Sequence, residues 1–210
     1  MNAQPDKIKI IGLSGSLRKN GLTKHAINIA LTGAKQMGAD TTLIELRNYE
    51  LVFCHGNEQE EAYPDDVHRL RKEVKSAHGI LLGTPEYHGS YSGVLKNALD
   101  LMSFAELEGK MIGLIGVSGG SMGAISALAS LRGIGRALHA WVIPQQVAIP
   151  EVDNVFAANG AIKDPQIESR LLALGNQVAK FSFLHHSNTA QQFLSEWEHA
   201  PANPGGTYTK

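Results

Sequence analysis

The sequence predicts an α/β fold, a doubly wound five-stranded parallel sheet with helices on both faces. Three observations predict it. Short apolar runs alternate with amphipathic helical segments along most of the chain. The clearest of these runs, HGILLG at 78–83, has no polar alternation, as suits a strand covered on both faces. Three runs also end in loops rich in glycine, serine or proline. Right-handed crossovers between parallel strands gather such loops at one rim, where ligands bind near the switch in strand order.

The first strand is carried by Ile8, Ile10 and Ile11. The helix over 22–37 has Leu22, Ala26, Ile27, Ile29, Ala30 and Ala34 at helical spacing, and Gly38 stops it. Thr41–Leu46 reads as the second strand, and 47–63 as an irregular loop with Tyr49, Phe53 and a polar stretch at 57–61. Pro64-Asp65-Asp66 opens a helix through Ala77, with Val67, Leu70 and Val74 on one face. His78–Gly83 is the third strand, and Ser92–Phe104 the next helix. Lys110–Val117 is the fourth strand, from which SGGSMGA leads into a helix reaching Leu138. His139–Val147 is the fifth, placed at an edge because Pro144 cannot donate to a ladder. After a loop at 150–163, Asp164-Pro165 opens the final helix, to Phe183. Residues 1–184 thus read as one domain. Residues 185–210 read as an extension, a short helix carrying Phe193, Leu194 and Trp197 and then a flexible tail, APANPGGTYTK.

Composition narrows the function. A net charge of −1 gives no field that recruits nucleic acid or an anionic membrane. No apolar run approaches the ~20 residues needed to span a bilayer. Cys54 is the single cysteine, so no internal disulfide forms; with no basic-then-apolar leader at the N-terminus, the expected compartment is the cytoplasm. Cys54 itself reads as a half-buried thiol. His185 and His186 are adjacent on a helix and point to different sides, so they read as surface residues and no metal site is expected.

The stretch KIKIIGLSGSLRKNGLT, residues 7–23, carries the first functional signal. A buried strand that ends in small hydroxyl and glycine residues before a helix makes an anion cradle, with unpaired N–H groups at the helix start. Ser14 and Ser16 add hydroxyls and Arg18 a fixed cation. Five residues separate Gly15 from Gly21, and Leu22-Thr23 stands where Lys-Ser/Thr is required, so this is no Walker A loop. No G-x-G-x-x-G follows the strand either. What remains suits a single terminal phosphate, as on FMN. The second loop, TPEYHGSYSG at 84–93, offers backbone polar groups for the edge of a flat heterocycle, and Tyr87 or Tyr91 as a stacking face. In the third, SGGSMG at 118–123, Gly119 and Gly120 let backbone approach a planar ring closely.

These motifs resemble those of the NADPH-dependent FMN reductase family, within the flavodoxin-like fold. GSLRKNGLT is similar to that family's phosphate loop, PEYHGSYSGVLKNALD to its flavin loop, and GVSGGSMG to its third loop; the resemblance spans about residues 7–183. It implies the FMN phosphate at Ser14, Ser16, Arg18 and Thr23, with Asn20 as a further candidate. It implies the isoalloxazine ring at Pro85, Glu86, Tyr87, His88 and Gly89, with Ser118, Gly119 and Gly120 close by. The chain departs from the family pattern at Gly21, where serine is frequent, and at Thr23 and His88, where asparagine is.

The implied activity is transfer of reducing equivalents from NADPH or NADH through FMN to a small acceptor: a flavin, quinone, azo compound or metal oxyanion. Both substrates would use one open flavin face in turn, by ping-pong kinetics, with no catalytic side chain required. The resemblance also implies a homodimer or homotetramer. Two rival readings stand. One is a flavodoxin-type electron carrier, against which the near-neutral charge counts. The other is a serine hydrolase, since Gly116-Val117-Ser118-Gly119-Gly120 satisfies G-x-S-x-G and Asp153 or Asp164, then His185 or His186, follow in order.

Overall fold

The first strand, β1 (Lys9–Ser14), is flanked in parallel on one side by β2 (Asp40–Glu45) and on the other by β3 (Gly79–Tyr87). β3 turns back into a two-residue antiparallel strand, β4 (Ser90–Tyr91). β5 (Met111–Val117) then pairs with β3, and β6 (Trp141–Ile149) closes the far edge, for the order β2-β1-β3-β5-β6. The strand carrying Pro144 is therefore an edge strand. Strand order reverses between β1 and β3, and their carboxyl ends flank the crevice such a reversal opens. The computed structural model describes residues 7–56 and 63–200, so the polar stretch at 57–61, the N-terminal residues and the tail from 201 lie outside the described residues.

The helices in chain order are α1 (Leu22–Gln36), α2 (Asp65–Lys75), α3 (Gly93–Asp100), α4 (Phe104–Leu107), α5 (Ile125–Ala137), α6 (Val152–Val155), α7 (Pro165–His186) and α8 (Asn188–Glu198). Alternation along β1 divides the core between two faces. Ile10 turns to Ile27 of α1 and to Leu171 and Val178 of α7; Ile11 and Leu13 turn to Leu70 of α2, Leu95 of α3 and Leu128 of α5. Full burial of each such side chain contributes about 1.5–3 kcal/mol. α1 and α7 touch almost backbone to backbone: a Cβ at Gly175 would fall on the carbonyl of Ala30.

Several elements differ from the sequence expectation. β3 runs four residues past Gly83, because Pro85 needs no N–H at its place in the ladder opposite Val117. The helix expected over 92–104 ends at Asp100; Ser103 and Glu106 form a capping box that starts α4. Residues 118–124 are turn, and α5 begins only at Ile125. The loop at 150–163 contains α6, and α7 runs three residues beyond Phe183. α8 has no buried residue of its own.

Cys54 is exposed rather than half-buried. Asn97 holds the backbone at and just before it, accepting from Cys54 N at 3.0 Å and donating to Val52 O at 2.9 Å. Of the two histidines His185 is exposed, while His186 is half-buried: its Nε2 is shut from solvent and its ring lies 5.4 Å from that of His78. Among the described residues no cluster could hold a metal ion, and no helix is long and apolar enough to cross a membrane.

Candidate functional site

All three loops open at the carboxyl rim of the sheet. β1 hands over to the first through Gly15, whose N–H donates to Gly83 O at 2.8 Å and whose carbonyl accepts from Ser92 Oγ at 2.7 Å. The chain then folds back on itself: Arg18 N donates to Ser16 Oγ at 3.4 Å, and Gly21 N to Arg18 O at 3.1 Å. Ser16 and Thr23 are only 5% and 2% exposed, and what each does expose lines a cleft. A Cβ at Gly21 would lie 2.7 Å from Ser16 Oγ. Glycine at this position leaves that room to the Ser16 hydroxyl.

The start of α1 is electrostatically open. Gly21 provides no side-chain cap, and the first turn holds no acidic residue. Elsewhere Ser92 caps α3, Ser103 α4, Asp164 α7 and Ser187 α8; α2 and α6 lack such a cap but carry acidic residues in their first turns, and α5 has neither in its own segment. Unsatisfied N–H groups and the positive end of the helix dipole therefore face outward beside Arg18.

A cleft of about 330 Å³ lies in front of this helix start. Ser16, Arg18, Asn20 and Thr23 form one wall; Pro85, Glu86 and Tyr87 a second; Ser118 and Gly119 a third. Val152 and Asp153 of α6 complete it, which the sequence did not assign to an FMN site. Ser14 lies within the sheet, 1% exposed, and is not among the walls. His88 and Gly89 form the tip of the β3–β4 hairpin, both with left-handed φ (52° and 76°), as a two-residue type I′ turn needs. They and Gly120 lie outside the walls.

The second and third loops are tied to their surroundings. Thr84 Oγ1 accepts from Ser92 N at 2.9 Å and donates to Pro85 O at 2.8 Å. Glu86 Oε2 accepts from Ala127 N, in the first turn of α5, at 3.1 Å. Ser118 Oγ accepts from Gly120 N at 3.1 Å, and Ser118 O accepts from Val152 N at 3.0 Å, which brings α6 to the cleft. Glu151, just before α6, has φ of 40°, a strained conformation for a glutamate.

A larger, more apolar cleft of about 650 Å³ adjoins the first and shares Arg18 and Tyr87 with it. Leu17, Tyr49, Leu51, Phe53 and Val94 line it. Tyr49 is fixed by its hydroxyl, which donates to Glu73 Oε2 at 2.8 Å, and by the Arg69 guanidinium 4.1 Å from its ring centre. Burial, then Glu73, push its phenol above the usual range. The sequence showed these aromatics only as loop residues; what brings them together is the return of 46–53 over α3.

The hydrolase arrangement is not assembled. Ser118 follows the carboxyl end of β5, whereas His186 sits by His78 and Gly109, which precede β3 and β5. A seven-residue strand separates the two ends, roughly 20 Å at ~3.3 Å per residue.

The strand order, with its reversal between β1 and β3, is that of the flavodoxin-like class, and an uncapped helix start, hydroxyls and a cation at that switch point suit a phosphate. The family model for NADPH-dependent FMN reductases matches residues 8–154. A NAD(P)H-dependent FAD/FMN reductase of Geobacillus thermodenitrificans is 30% identical over 175 residues, covering 81% of this chain and 91% of the relative. An NADPH azoreductase of a Bacillus species is 36% identical over 142 residues, covering 68% and 76%. Among solved structures, the flavoenzyme NAD(P)H:acceptor oxidoreductase FerB of Paracoccus denitrificans superposes with TM-score 0.70 at 23% identity, covering 85% of this chain and 98% of that one. An archaeal flavodoxin gives TM-score 0.59 at 15% identity, covering 83% and 99%. The chain belongs to the NADPH-dependent FMN reductase family, and is an oxidoreductase that works with FMN and a nicotinamide nucleotide.

Proposed function

We propose that the protein passes reducing equivalents from NADPH or NADH, through FMN held in the 330 Å³ cleft, to a small organic acceptor. The observation that carries this reading is the uncapped start of α1, beside Ser16 and Arg18. The donor set fits a phosphate monoester: helix N–H groups, the Ser16 and Thr23 hydroxyls, the Asn20 amide and the Arg18 guanidinium. Pro85, Glu86 and Tyr87 would flank the ring on one side, and Ser118 and Gly119 on the other.

Bound FMN supplies hydride acceptance from the nicotinamide and onward delivery to the acceptor. The chain's own residues bind and orient. Arg18 and the α1 start neutralise the phosphate, and the rigid hairpin fixes the ring edge. The apolar cleft beside Tyr87 leaves one open approach, which nicotinamide and acceptor would occupy in turn, giving ping-pong kinetics. The aromatic lining of that cleft favours a flat organic acceptor, such as a quinone, flavin or azo compound, over a metal oxyanion. Exposed Leu17, Val52 and Phe53 beside it support association into the homodimer or homotetramer the resemblance implies.

The test is to titrate FMN into the purified apoprotein, then follow anaerobic NADPH and NADH reduction and reoxidation by a panel of acceptors. Micromolar or tighter FMN binding, reduction by the nicotinamide, and parallel double-reciprocal plots are expected. A protein that binds no FMN would overturn the reading. One that is reduced only by a separate reductase would be an electron carrier instead.

A further inference from the structure

Two helices, α1 and α5, begin at the carboxyl rim beside the cleft, and their starts are treated differently. That of α1 is left open. That of α5 has no cap within its own segment, since the residue before it is Ala124. Instead a carboxylate arrives from another element: Glu86, near the end of β3, accepts from Ala127 N at 3.1 Å. The side chain is half-buried, and its backbone pairs across the hairpin with Tyr91. One hydrogen bond thus joins the hairpin carrying Pro85–Gly89 to the helix that follows 118–124.

We infer that Glu86 is a positioning residue, whose carboxylate locks the β3–β4 hairpin onto the start of α5 and so sets the spacing of the two walls between which the flavin ring is held. The inference rests on the reading of the cleft as the FMN site. The β3–β5 ladder fixes the bases of the two walls, as far as Thr84 opposite Gly116 and Pro85 opposite Val117; beyond it, the Glu86 carboxylate is the side-chain tie from the hairpin to α5. Ser118 Oγ is engaged by Gly120 N within its own loop, and Thr84 Oγ1 by Ser92 N and Pro85 O within the hairpin region. Glycines at 119, 120 and 123 leave the third loop little stiffness of its own. The negative charge also complements the positive end of α5, which strengthens the tie. Glu86 thus both lines the cleft and ties its wall to α5.

The experiment compares Glu86→Ala, Glu86→Gln and, as a matched control, Asp164→Ala. Asp164 caps α7 through Gln166 N and Ile167 N at 2.8 and 3.1 Å, and is not among the residues lining the cleft. FMN and riboflavin dissociation constants are read by flavin fluorescence, with the visible circular dichroism of the bound flavin as a report on ring geometry. The expected results are a dissociation constant raised about tenfold in Glu86→Ala for both ligands, since the wall and not the phosphate cradle is disturbed, with an altered dichroism spectrum. Glu86→Gln, which keeps an acceptor oxygen, should remain within about threefold of the original protein. Asp164→Ala should bind FMN unchanged while unfolding at lower denaturant. The inference is overturned if Glu86→Ala binds flavin as the original protein does. It is equally overturned if Asp164→Ala loses as much affinity, or if Glu86→Gln fails to rescue. Absence of FMN binding by the unaltered protein would instead sink the proposed function.

Discussion

The same parallel strands carry opposite treatments of polar groups at their two ends. At the carboxyl rim, the start of α1 is left without a side-chain cap, and Ser16, Arg18, Asn20 and Thr23 line a cleft. At the amino rim, Lys110 and His78 close onto backbone groups, although the buried His186 Nε2 beside them finds no hydrogen-bond partner. Lys110, 8% exposed, donates through Nζ to the carbonyls of Lys75 and Ala77 and so finishes α2; burial lowers its pKa to about 8. His78 Nδ1 accepts from Lys9 N at 2.9 Å, and Met111 N donates to His78 O. The difference teaches where to look for a ligand: the carboxyl rim gathers an uncapped helix start, a cation and hydroxyls around one cleft, whereas the amino rim ties Lys110 and His78 into the backbone.

Exchanging the roles of the two rims is the sharpest way to break this contrast. The largest effect is expected from Arg18→Ala, which should weaken FMN binding roughly a hundredfold by loss of a charge-assisted contact. Its denaturation midpoint should stay put, since Arg18 is exposed; fluorescence titration and urea unfolding measure the two quantities. Lys110→Ala should do the reverse. Removing its hydrogen bonds to the end of α2 should cost about 1–3 kcal/mol in urea unfolding and leave FMN affinity unchanged.

A smaller effect is expected within the cradle. Gly21→Ala pushes against the Ser16 hydroxyl and should raise the FMN dissociation constant by roughly tenfold at most, with riboflavin binding unaffected because it has no phosphate. The smallest concerns pH at the amino rim. Burial, and secondarily His78 and Lys110, hold His186 below the ordinary value of 6.5. The unfolded chain then binds the proton first, so stability should fall as pH drops from 6.5 towards the folded value and be flat for this group above 6.5. His186→Leu should flatten that acid limb in urea midpoints taken across the range. An unchanged limb would show that another group sets it.

Much of the site was legible because its signals are local. The passage from an apolar strand through Ser-Gly-Ser and Arg18 to a helix is contiguous, so one stretch of chain declared the anion cradle. The tight turn at Gly89 was visible too, but not that β3 carries on through Pro85 to reach it. Proline stops a strand only where the N–H is needed, which depends on the neighbouring strand. His186 was misjudged for a similar reason: adjacent histidines do point apart, yet what the inner one meets is His78, over a hundred residues earlier. Glu86 capping a helix that starts at Ile125, and the second cleft closed by Tyr49 and Phe53, depend on contacts between distant segments. No local pattern announces those.

The borders of the sheet carry one more consequence. Along β6, Pro144 has no N–H to offer, and the register slips between Ile112 and Leu114. At the opposite margin, β2 begins with Asp40 and ends with Glu45. The irregular β6 margin is no ribbon onto which a further strand could zip, and the β2 margin is guarded by an acidic residue at each end. Copies of this chain that meet should therefore do so through side chains on helices and loops, and not by merging their sheets into one continuous ladder.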